Sequence, residues 1–414
     1  MSLSSLDPLF KPRAIAVIGA STDPKKIAGR PVHYLKQYFK GPIYPVNPNA
    51  EEVQGLKAYA AVADLPEGVD QALVCLPAKL VIPTLEACAA RGVRSAGIFS
   101  SGFAEIGDSG RDLQNRIREI ARTSGMRILG PNCMGVMNIA GIDDGAGGAG
   151  GSLGQSITTF TLAVEENPPK AGNIGIVSQS GAFAAHAYTL AARRGLGLSY
   201  WATTGNDVDV EFADCLAYLA EDPATDVIMG YMEGCQDGDK LFDAFERARK
   251  NEKPMVIVKV GASEVGQKAA ASHTAVLSGG DAIFEAVFER YGVHRARTLD
   301  EFFDVAYACS FGKFPKSPKI GFASISGGVG ILMADKAVEL GLDVAPMPEH
   351  AAKKLKELLP FAGVNNPVDV TAQIISQPEL LQKNIEIMLS EGGYDSIVVF
   401  LTTVFYSDVL RRPM

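Results

Sequence analysis

The chain of 414 residues is long enough for two or three domains, and its 47% hydrophobic and 21% charged residues exclude a disordered polypeptide. The formal net charge of −8, with no basic run that contains interleaved aromatic residues, argues against a nucleic-acid-binding surface. No apolar run is long enough to span a bilayer, and no signal-peptide pattern opens the sequence. The six cysteines are scattered and form no Cys-x-x-Cys pair. These three features together predict a cytoplasmic protein.

The chain opens with a strand, a turn of small residues and a helix. Residues 13–18 have the pattern of a buried strand, Gly19–Ser21 form the turn, and residues 28–39 have helical spacing. This order is typical of a nucleotide-binding βαβ unit, in which the helix N-terminus can bind a phosphate. A dehydrogenase would add a G-x-G-x-x-G turn and an acid after the second strand, residues 41–46. Since that strand ends in Asn47 and the fingerprint is missing, the pattern favours another adenine-bearing ligand with a pyrophosphate.

Three further strand patterns in the first domain also end in small or polar residues. Residues 71–76, 95–99 and 126–129 lead into Pro77, into Ser101 and Gly102, and into Asn132, respectively. Strands that alternate with helices predict a parallel sheet, whose carboxyl edge binds ligands. Turn chemistry alone accounts for one such strand end, because Gly, Pro, Asn and Ser favour turns in any protein. Five of them in one domain predict a ligand crevice.

A glycine-rich segment separates this first domain from the next. Residues 141–151 contain six glycines and no helix or strand pattern. We therefore predict a first domain over residues 1–140, a linker or flap over residues 141–172, and a second domain over residues 173–315.

The strand ends of the second domain carry polar residues as well. The strand patterns 173–177, 198–203 and 226–232 lead to Ser180 and Gly181, to Gly205 and Asn206, and to Glu233, respectively. By alternation of strand and helix these residues lie on one edge of a sheet, and the helix that follows Ser180 predicts an anion site. Glu233 is either a solvated loop acid or a carboxylate that fixes the tautomer of a histidine.

The fourth strand of this domain, residues 254–260, is followed by an unusually long connection to a helix that begins near Asp281. A connection of roughly twenty residues favours a functional loop. His273 lies in this loop among hydroxyl-bearing and small residues, where it can act as a base, a metal ligand or a nucleophile. From this stretch alone, a surface histidine in a mobile loop is an equally good interpretation. No His, Asp and Glu spacing in the chain indicates a metal centre.

Residues 316–414 begin another α/β domain. A strand pattern over residues 319–325 leads into a glycine turn at residues 326–330 and then into a helix. The sequence ends where a further helix should follow, so we predict that this domain is incomplete.

Taken together, these residues resemble the NDP-forming acyl-CoA synthetases, relatives of succinyl-CoA synthetase and of the ADP-forming acetate–CoA ligases, over nearly the whole chain. The motifs that carry the resemblance are Gly19-Ala20-Ser21, Ser101-Gly102-Phe103-Ala104-Glu105, Gly130-Pro131-Asn132, Ser178-Gln179-Ser180-Gly181, Gly205-Asn206, Glu233-Gly234, Ser272-His273-Thr274 and Asn366-Pro367-Val368-Asp369. The resemblance implies an α/β fold with an N-terminal Rossmann-like CoA-binding domain, followed by flavodoxin-like succinyl-CoA-ligase domains with parallel sheets.

The resemblance also implies the reaction acid + CoA + ATP ⇌ acyl-CoA + ADP + phosphate, through an acyl phosphate and a phosphohistidine at His273 that Glu233 orients. A neutral imidazole can take a phosphoryl group and so divide one difficult transfer into two. The resemblance also assigns phosphate binding to Ser180, Gly181, Gly205 and Asn206. It assigns CoA binding to Gly19, Ala20, Ser21, Asn47, Pro77, Ser101, Gly102 and Asn132.

Two departures from the family pattern stand out. Ala275 occupies a position where the family usually has glycine, and no ATP-grasp domain follows in this sequence. The resemblance therefore predicts an α-type chain that needs an ATP-grasp domain or β-type subunit, through which ATP, ADP and Mg²⁺ would bind, and an oligomeric enzyme that acts on CoA, a carboxylic acid and phosphate. The alternatives are a CoA- or nucleotide-binding regulator without turnover and, less favoured, a nicotinamide-dependent dehydrogenase.

Overall fold

The computed structural model describes residues 3–143, 152–263, 265–266, 280–371 and 373–402. The chain divides into two compact units, Met1–Gly312 and Lys313–Met414. Within the described ranges no helix is both long and apolar enough to cross a membrane.

The first part of unit 1 contains seven strands and four helices. The strands are β1 (Ile15–Ile18), β2 (Ile43–Val46), β3 (Glu52–Val53), β4 (Leu56–Lys57), β5 (Gln71–Val74), β6 (Ser95–Ile98) and β7 (Arg127–Leu129). The helices are α1 (Asp7–Phe10), α2 (Arg30–Tyr38), α3 (Ala78–Ala90) and α4 (Asp108–Ser124), with short 3₁₀ turns at Leu3–Leu6, Val62–Asp64 and Ala104–Ile106.

Five of these strands form one parallel sheet, in the order β2-β1-β5-β6-β7, while β3 and β4 pair antiparallel as a separate two-stranded ribbon. Every residue of β1, β5 and β6 is buried. Strands of a parallel sheet that is covered on both faces are apolar throughout, which is why the sequence shows them as continuous apolar runs.

The second part of unit 1 is built on a seven-stranded sheet. Its strands are β8 (Gly135–Asp143), β9 (Ser152–Thr159), β10 (Ala171–Ser178), β11 (Leu198–Thr203), β12 (Val227–Met232), β13 (Met255–Lys259) and β14 (His294–Arg295). Its helices are α5 (Ala163–Glu166), α6 (Gly181–Arg193), α7 (Phe212–Glu221), α8 (Gly238–Lys250), α9 (Asp281–Tyr291) and α10 (Leu299–Cys309). The strand order is β14-β13-β12-β10-β11-β8-β9, in which β10 to β14 are parallel and β8 and β9 are antiparallel.

The segment 141–172, predicted as a linker, contains regular structure among its described residues. β8 extends to Asp143, β9 covers Ser152–Thr159, and the two strands pair antiparallel from Gly135 opposite Thr159. The pairing extends the second sheet at its β11 edge. The glycine-rich sequence gives no strand pattern, because glycine has no side chain that could alternate between the two faces of a sheet. β9 is therefore a strand because it pairs with β8, and not because of its own β-propensity.

One hydrophobic core connects the two sheets of unit 1. Phe10, from α1, is fully buried and stacks on Tyr218 of α7 with ring centroids 4.3 Å apart. Its edge meets Tyr200 of β11 at 5.7 Å. Arg127, at the start of β7, donates to Asp209 at 3.0 Å. The two parts of unit 1 therefore pack as one body.

Unit 2 is a smaller α/β unit. Its strands are β15 (Ile320–Ser324), β16 (Val368–Asp369) and β17 (Ser396–Phe400), all parallel in the order β16-β15-β17. Its helices are α11 (Gly327–Glu339), α12 (Glu349–Leu358), α13 (Gln373–Ser376) and α14 (Pro378–Glu391). Its core includes Leu355, Leu359, Val368 and Met388.

Candidate functional site

The eight residues that the resemblance assigns to CoA all lie in loops at the carboxyl edge of the first sheet. They are Gly19, Ala20 and Ser21 after β1, Asn47 after β2, Pro77 after β5, Ser101 and Gly102 after β6, and Asn132 after β7. Because the five strands are parallel, their carboxyl ends share one edge, which is the ligand-binding edge of such sheets.

The turn after β1 passes very close to the residues that follow β5. Gly19 has a φ of +79°, and a Cβ at this position would lie 2.6 Å from the Leu76 side chain and 2.8 Å from the Cys75 carbonyl oxygen. Asn47 donates from Nδ2 to the Ala20 carbonyl oxygen at 2.9 Å and so ties the second strand end to the turn. Only glycine fits at residue 19, and a turn of this kind brings the backbone close to a bound phosphate.

The loop after β6 is folded around the carboxylate of Glu105. Glu105 Oε1 accepts from the backbone N–H groups of Gly102 at 2.6 Å and Phe103 at 3.1 Å, while Oε2 accepts from Asn206 Nδ2 at 2.5 Å. Burial opposes its charge, but these hydrogen bonds outweigh it and lower the pKa of Glu105 below its ordinary value. Glu105 thus remains ionised and joins the CoA-side loop to the second sheet.

Asn206 lies where the two sheets meet. Besides Glu105, its Nδ2 donates to Gln114 Oε1 at 3.0 Å, and its Oδ1 accepts from Asn132 Nδ2 at 3.4 Å. The side chain of Asn206 is therefore engaged within the protein, and its neighbour Gly205 offers only backbone to a ligand. Gly205 has a φ of +61°, and a Cβ there would lie 2.3 Å from the Pro131 carbonyl oxygen.

Ser180 and Gly181 form the start of α6, as the sequence predicts. Ser180 Oγ accepts from the Phe183 N–H at 3.3 Å and caps the helix. Ser178 Oγ accepts from the Ser180 N–H at 3.1 Å and donates to the Ser180 carbonyl oxygen at 2.7 Å. A Cβ on Gly181 would lie 2.7 Å from Met134 Cγ, so glycine permits the close packing of this helix start. A 13-residue helix with such a start attracts an anion.

Gln179, the second residue of the Ser178-Gln179-Ser180-Gly181 motif, connects three loops of the second sheet. Its Oε1 accepts from the N–H groups of Glu233 at 2.5 Å and Gly234 at 3.0 Å. Its Nε2 donates to the Gly234 carbonyl oxygen at 3.0 Å and to Asp207 Oδ2 at 2.6 Å. The strand ends of β10, β11 and β12 are therefore joined through one buried carboxamide.

Glu233 follows β12 directly and is 6% exposed. Its carbonyl oxygen accepts from Lys259 Nζ at 3.0 Å, and that lysine, the last residue of β13, is also 6% exposed. The Lys259 ammonium lies 4.7 Å from the centre of the Phe284 ring in α9. Burial lowers the pKa of Lys259. Glu233 thus lies within a buried charged environment rather than on a solvated loop.

His273 lies outside the described residues, but both ends of its segment are described. The segment leaves from Lys259 at the end of β13 and returns at Asp281, where α9 begins. Lys259 contacts the backbone of Glu233, and Phe284 in the first turn of α9 contacts the Lys259 ammonium. The helix that follows the predicted histidine loop therefore packs on Lys259, which in turn bonds to the Glu233 backbone.

Asp207 is a buried acid that sequence reasoning did not single out. It is 4% exposed, and its φ is +52°. Burial raises the pKa of Asp207 to about 7, although the hydrogen bond from Gln179 partly opposes this change. A carboxyl group of this kind changes its charge near neutral pH.

The structure also places the remaining groups that could bind a metal or act as nucleophiles. In the part of the chain that the structure describes, no three His, Cys, Asp or Glu side chains cluster as a metal site would require. All six cysteines are free. Burial raises the pKa of Cys88 and Cys133 to about 12, so these thiols stay protonated at neutral pH.

Comparison with known families gives the same division of unit 1. Residues 13–139 match the family described as "CoA binding domain", and residues 171–309 match the family described as "Succinyl-CoA ligase like flavodoxin domain". The two domains together define a CoA-ligase type of protein, with an α/β fold whose sheets are mostly parallel. This confirms the predicted fold class.

Two individual relatives are named as ADP-forming acetate–CoA ligases. The chain is 37% identical to the acetate–CoA ligase [ADP-forming] II subunit alpha of Pyrococcus furiosus, over 95% of this chain and 81% of that subunit. It is 36% identical to the acetate–CoA ligase [ADP-forming] II of Archaeoglobus fulgidus, over 96% of this chain but 57% of that longer protein.

A solved structure agrees with these sequences. The dinucleotide-forming acetyl-coenzyme A synthetase 1 of Korarchaeum cryptofilum, in complex with phosphate and ADP, has a TM-score of 0.80 and 30% identity over 95% of this chain and 88% of that chain. The chain therefore belongs to the family of ADP-forming acyl-CoA synthetases, in which it is an α-type member. This confirms the family and the ligase class that the sequence predicts.

Proposed function

We propose that the chain carries the acid–thiol half of the reaction acid + CoA + ATP ⇌ acyl-CoA + ADP + phosphate, with His273 as the phosphoryl carrier. In the forward direction, a carboxylate oxygen of the acid attacks the phosphorus of phosphohistidine. The N–P bond breaks, the P–O bond of an acyl phosphate forms, and neutral His273 is left. The CoA sulfur then attacks the acyl carbon, phosphate leaves, and the thiol proton passes to the phosphate.

The observation that carries this proposal is the hydrogen bond that joins Glu233 to Lys259, at the end of the strand that precedes the His273 segment. Lys259, before the segment, donates to the Glu233 carbonyl oxygen at 3.0 Å, and Phe284, after the segment, lies 4.7 Å from the Lys259 ammonium. A carboxylate in this position can accept a hydrogen bond from one imidazole nitrogen and leave the other nitrogen as the nucleophile.

Phosphate binding is proposed for the start of α6. Its first N–H groups, after the cap at Ser180, have no partner within a helix and favour an anion. Gly181 and Gly205 would contribute through their backbones. Asn206 would act indirectly, because its side chain is engaged with Glu105 and Gln114. Preorganised N–H donors stabilise the spread negative charge of a phosphoryl group in transfer.

CoA is proposed to bind along the carboxyl edge of the first sheet. The close backbone approach at Gly19 suits a pyrophosphate, and the exposed loops at Pro77 and Ser101 leave this edge accessible. ATP, ADP and Mg²⁺ are proposed to bind to an ATP-grasp domain or β-type subunit that completes the enzyme in the cytoplasm, and the assembly is proposed to be oligomeric.

The test is phosphoryl labelling of the chain in complex with its ATP-grasp partner. Incubation with γ-³²P-labelled ATP should give an acid-labile, alkali-stable label on the chain, and addition of the carboxylic acid with CoA should discharge it. His273→Asn should abolish both the label and ligase turnover. His350→Asn, at an exposed histidine of unit 2, is the matched control and should keep both.

Two outcomes would reject the proposal. Ligase turnover that survives in His273→Asn would show that no phosphohistidine at this residue is needed. CoA binding without any label on the wild-type complex would instead support the regulatory alternative.

A further inference from the structure

We propose that Gln179 and Lys259 are positioning residues that fix Glu233 from opposite sides of its backbone, and we name this pair the Glu233 clamp. The inference deepens the proposed function, because it rests on Glu233 as the partner of His273. Both residues are proposed to act through the Glu233 backbone, to which their side chains bond.

The first half of the clamp acts on the Glu233 N–H. Gln179 Oε1 accepts from the N–H groups of Glu233 and Gly234 at 2.5 and 3.0 Å. Its Nε2 uses both hydrogens, on the Gly234 carbonyl oxygen and on Asp207 Oδ2. Gln179 is 8% exposed, so solvent cannot replace these bonds readily. The carboxamide therefore bonds to the peptide groups on both sides of Glu233 and to the carbonyl group of Gly234.

The second half acts on the Glu233 carbonyl group. Lys259 Nζ donates to this oxygen at 3.0 Å and to the Val260 carbonyl oxygen at 2.5 Å. A charge-assisted hydrogen bond at a buried site is stronger than a neutral one. Glu233 is thus held through its N–H by Gln179 after β10 and through its carbonyl oxygen by Lys259 at the end of β13.

Unit 2 supplies an internal comparison that separates this role from turn formation. There, Ser324 Oγ accepts from the Ser326 N–H at 3.1 Å and donates to the Ser326 carbonyl oxygen at 2.8 Å. These two bonds reproduce those between Ser178 and Ser180 after β10. The residue between the two serines is Ile325 in unit 2 and Gln179 in unit 1. The serine turn therefore forms without a carboxamide, and Gln179 is not needed to make it.

The clamp has a direct chemical consequence. A general base or orienting carboxylate is effective only when it stays within hydrogen-bond reach of its partner, and a misplacement of about 1 Å can reduce a rate by about a hundredfold. Because Glu233 follows directly from β12, a shift of its peptide moves the carboxylate with it. Loss of the clamp should therefore slow phosphoryl transfer to His273 without altering the CoA-binding edge of the first sheet.

The test uses Gln179→Ile and Lys259→Met in the complete complex with the ATP-grasp partner. Isoleucine is the residue that unit 2 carries within the same serine turn, and methionine keeps the length and apolar stem of lysine. In both variants we expect the single-turnover rate of His273 labelling and kcat to fall by about ten- to a hundredfold, while the KM for CoA changes less than about twofold.

Hydrogen exchange gives a readout that does not depend on chemistry. The amides of Glu233 and Gly234 should exchange faster in Gln179→Ile, whereas the Phe183 amide, which Ser180 caps, should keep its protection. Faster exchange at all three amides would show that the turn itself had collapsed. The rate of His273 labelling in Lys259→Met, a change outside that turn, would then be the test of the clamp.

The outcomes separate the clamp from the proposed function. If the wild-type complex labels and both variants label at the wild-type rate, the clamp is rejected and the phosphohistidine stands. If the wild-type complex carries no label, the proposed function fails, and unchanged exchange at Glu233 and Gly234 in Gln179→Ile would reject the clamp independently.

Discussion

Asp207 shows how much a single buried carboxyl group can affect this protein. It is 4% exposed, it accepts from Gln179 Nε2 at 2.6 Å, and burial raises its pKa to about 7. In the unfolded chain an aspartate has a pKa of about 3.9. Between these two pH values the folded state binds a proton that the unfolded state releases, so folding stability falls as the pH rises across this range.

Asp207→Asn should remove this pH dependence while keeping an acceptor for Gln179. The variant should gain stability relative to the wild type as the pH rises from 5 to 7, by at most about 1.4 kcal/mol per pH unit, and the difference should level off above the folded-state pKa. Urea unfolding at pH 5, 6, 7 and 8 measures this. A difference between the two proteins that does not change with pH would contradict the assignment.

Gly205 offers a second prediction for one residue. Its φ of +61° and the 2.3 Å separation between a Cβ and the Pro131 carbonyl oxygen should make Gly205→Ala costly in two ways, by backbone strain and by a backbone clash. Gly195→Ala is the matched control, because residue 195 has a φ of +74° and nothing within 4 Å of its Cβ.

We expect Gly195→Ala to lose about 1 kcal/mol of unfolding free energy and Gly205→Ala to lose at least about 2 kcal/mol. Chemical denaturation of both variants measures the difference. Equal losses would mean that the loop at residue 205 relaxes away from Pro131 at little cost.

Sequence reasoning selected Ser180, Gly205 and Glu233 because each lies within two residues of a strand end, and strand ends are visible in a local pattern. It missed the roles of Gln179, Lys259 and Asp207. Their partners lie 54, 26 and 28 residues away along the chain, in the bonds Glu233–Gln179, Lys259–Glu233 and Gln179–Asp207. A local sequence pattern cannot show contacts between residues this far apart. In the sequence, a buried glutamine or lysine cannot be distinguished from an exposed one until the order of the strands in the sheet is known.

At the scale of elements, the start of α6 has two roles, because Ser180 caps the helix and the same helix start is the proposed phosphate site. Ser180→Ala should remove the cap and cost about 1 kcal/mol of unfolding free energy. Thr298→Ala is the matched control, since Thr298 Oγ1 caps α10 by accepting from the Glu301 N–H at 3.1 Å.

The two cap variants should lose similar stability, but only Ser180→Ala should also weaken phosphate binding and slow His273 labelling, because only α6 starts at the proposed phosphate site. Thermal unfolding and the labelling assay measure both properties on the same samples. Equal labelling rates in the two variants would show that Ser180 is a cap and nothing more.

The alternation of strand, small-residue turn and helix was readable from the sequence, because buried parallel strands give continuous apolar runs. The antiparallel pair of β8 and β9 was not readable. Gly154 has a φ of +75°, and a Cβ there would lie 2.3 Å from the Tyr38 carbonyl oxygen, so glycine is required for packing against α2. From composition alone, such a glycine is assigned to a linker. The contact that requires it is with Tyr38, which lies more than a hundred residues away along the chain and is not visible in a local pattern.

At the scale of the whole of unit 1, the two matched domains share one core rather than meeting at a polar interface. Phe10 is fully buried between Tyr218 and Tyr200, with ring centroids 4.3 and 5.7 Å away. Tyr218 donates to Asp7 Oδ1 at 2.9 Å, and Lys11 pairs with Asp222 at 2.5 Å. A segment that precedes the first sheet is thus packed against the second, which predicts that the two sheets unfold together.

Phe10→Ala tests this coupling. Removal of a fully buried phenylalanine should cost about 3–5 kcal/mol of unfolding free energy. Because Phe10 belongs to a core cluster that contains residues of both sheets, hydrogen exchange should become faster in β6 and in β11 alike. Ile117→Ala, a fully buried change in α4 against the first sheet alone, is the control for a local loss of packing. If Phe10→Ala made only the residues before 143 exchange faster, the two domains would be independent folding units, and the shared core would be an interface between them.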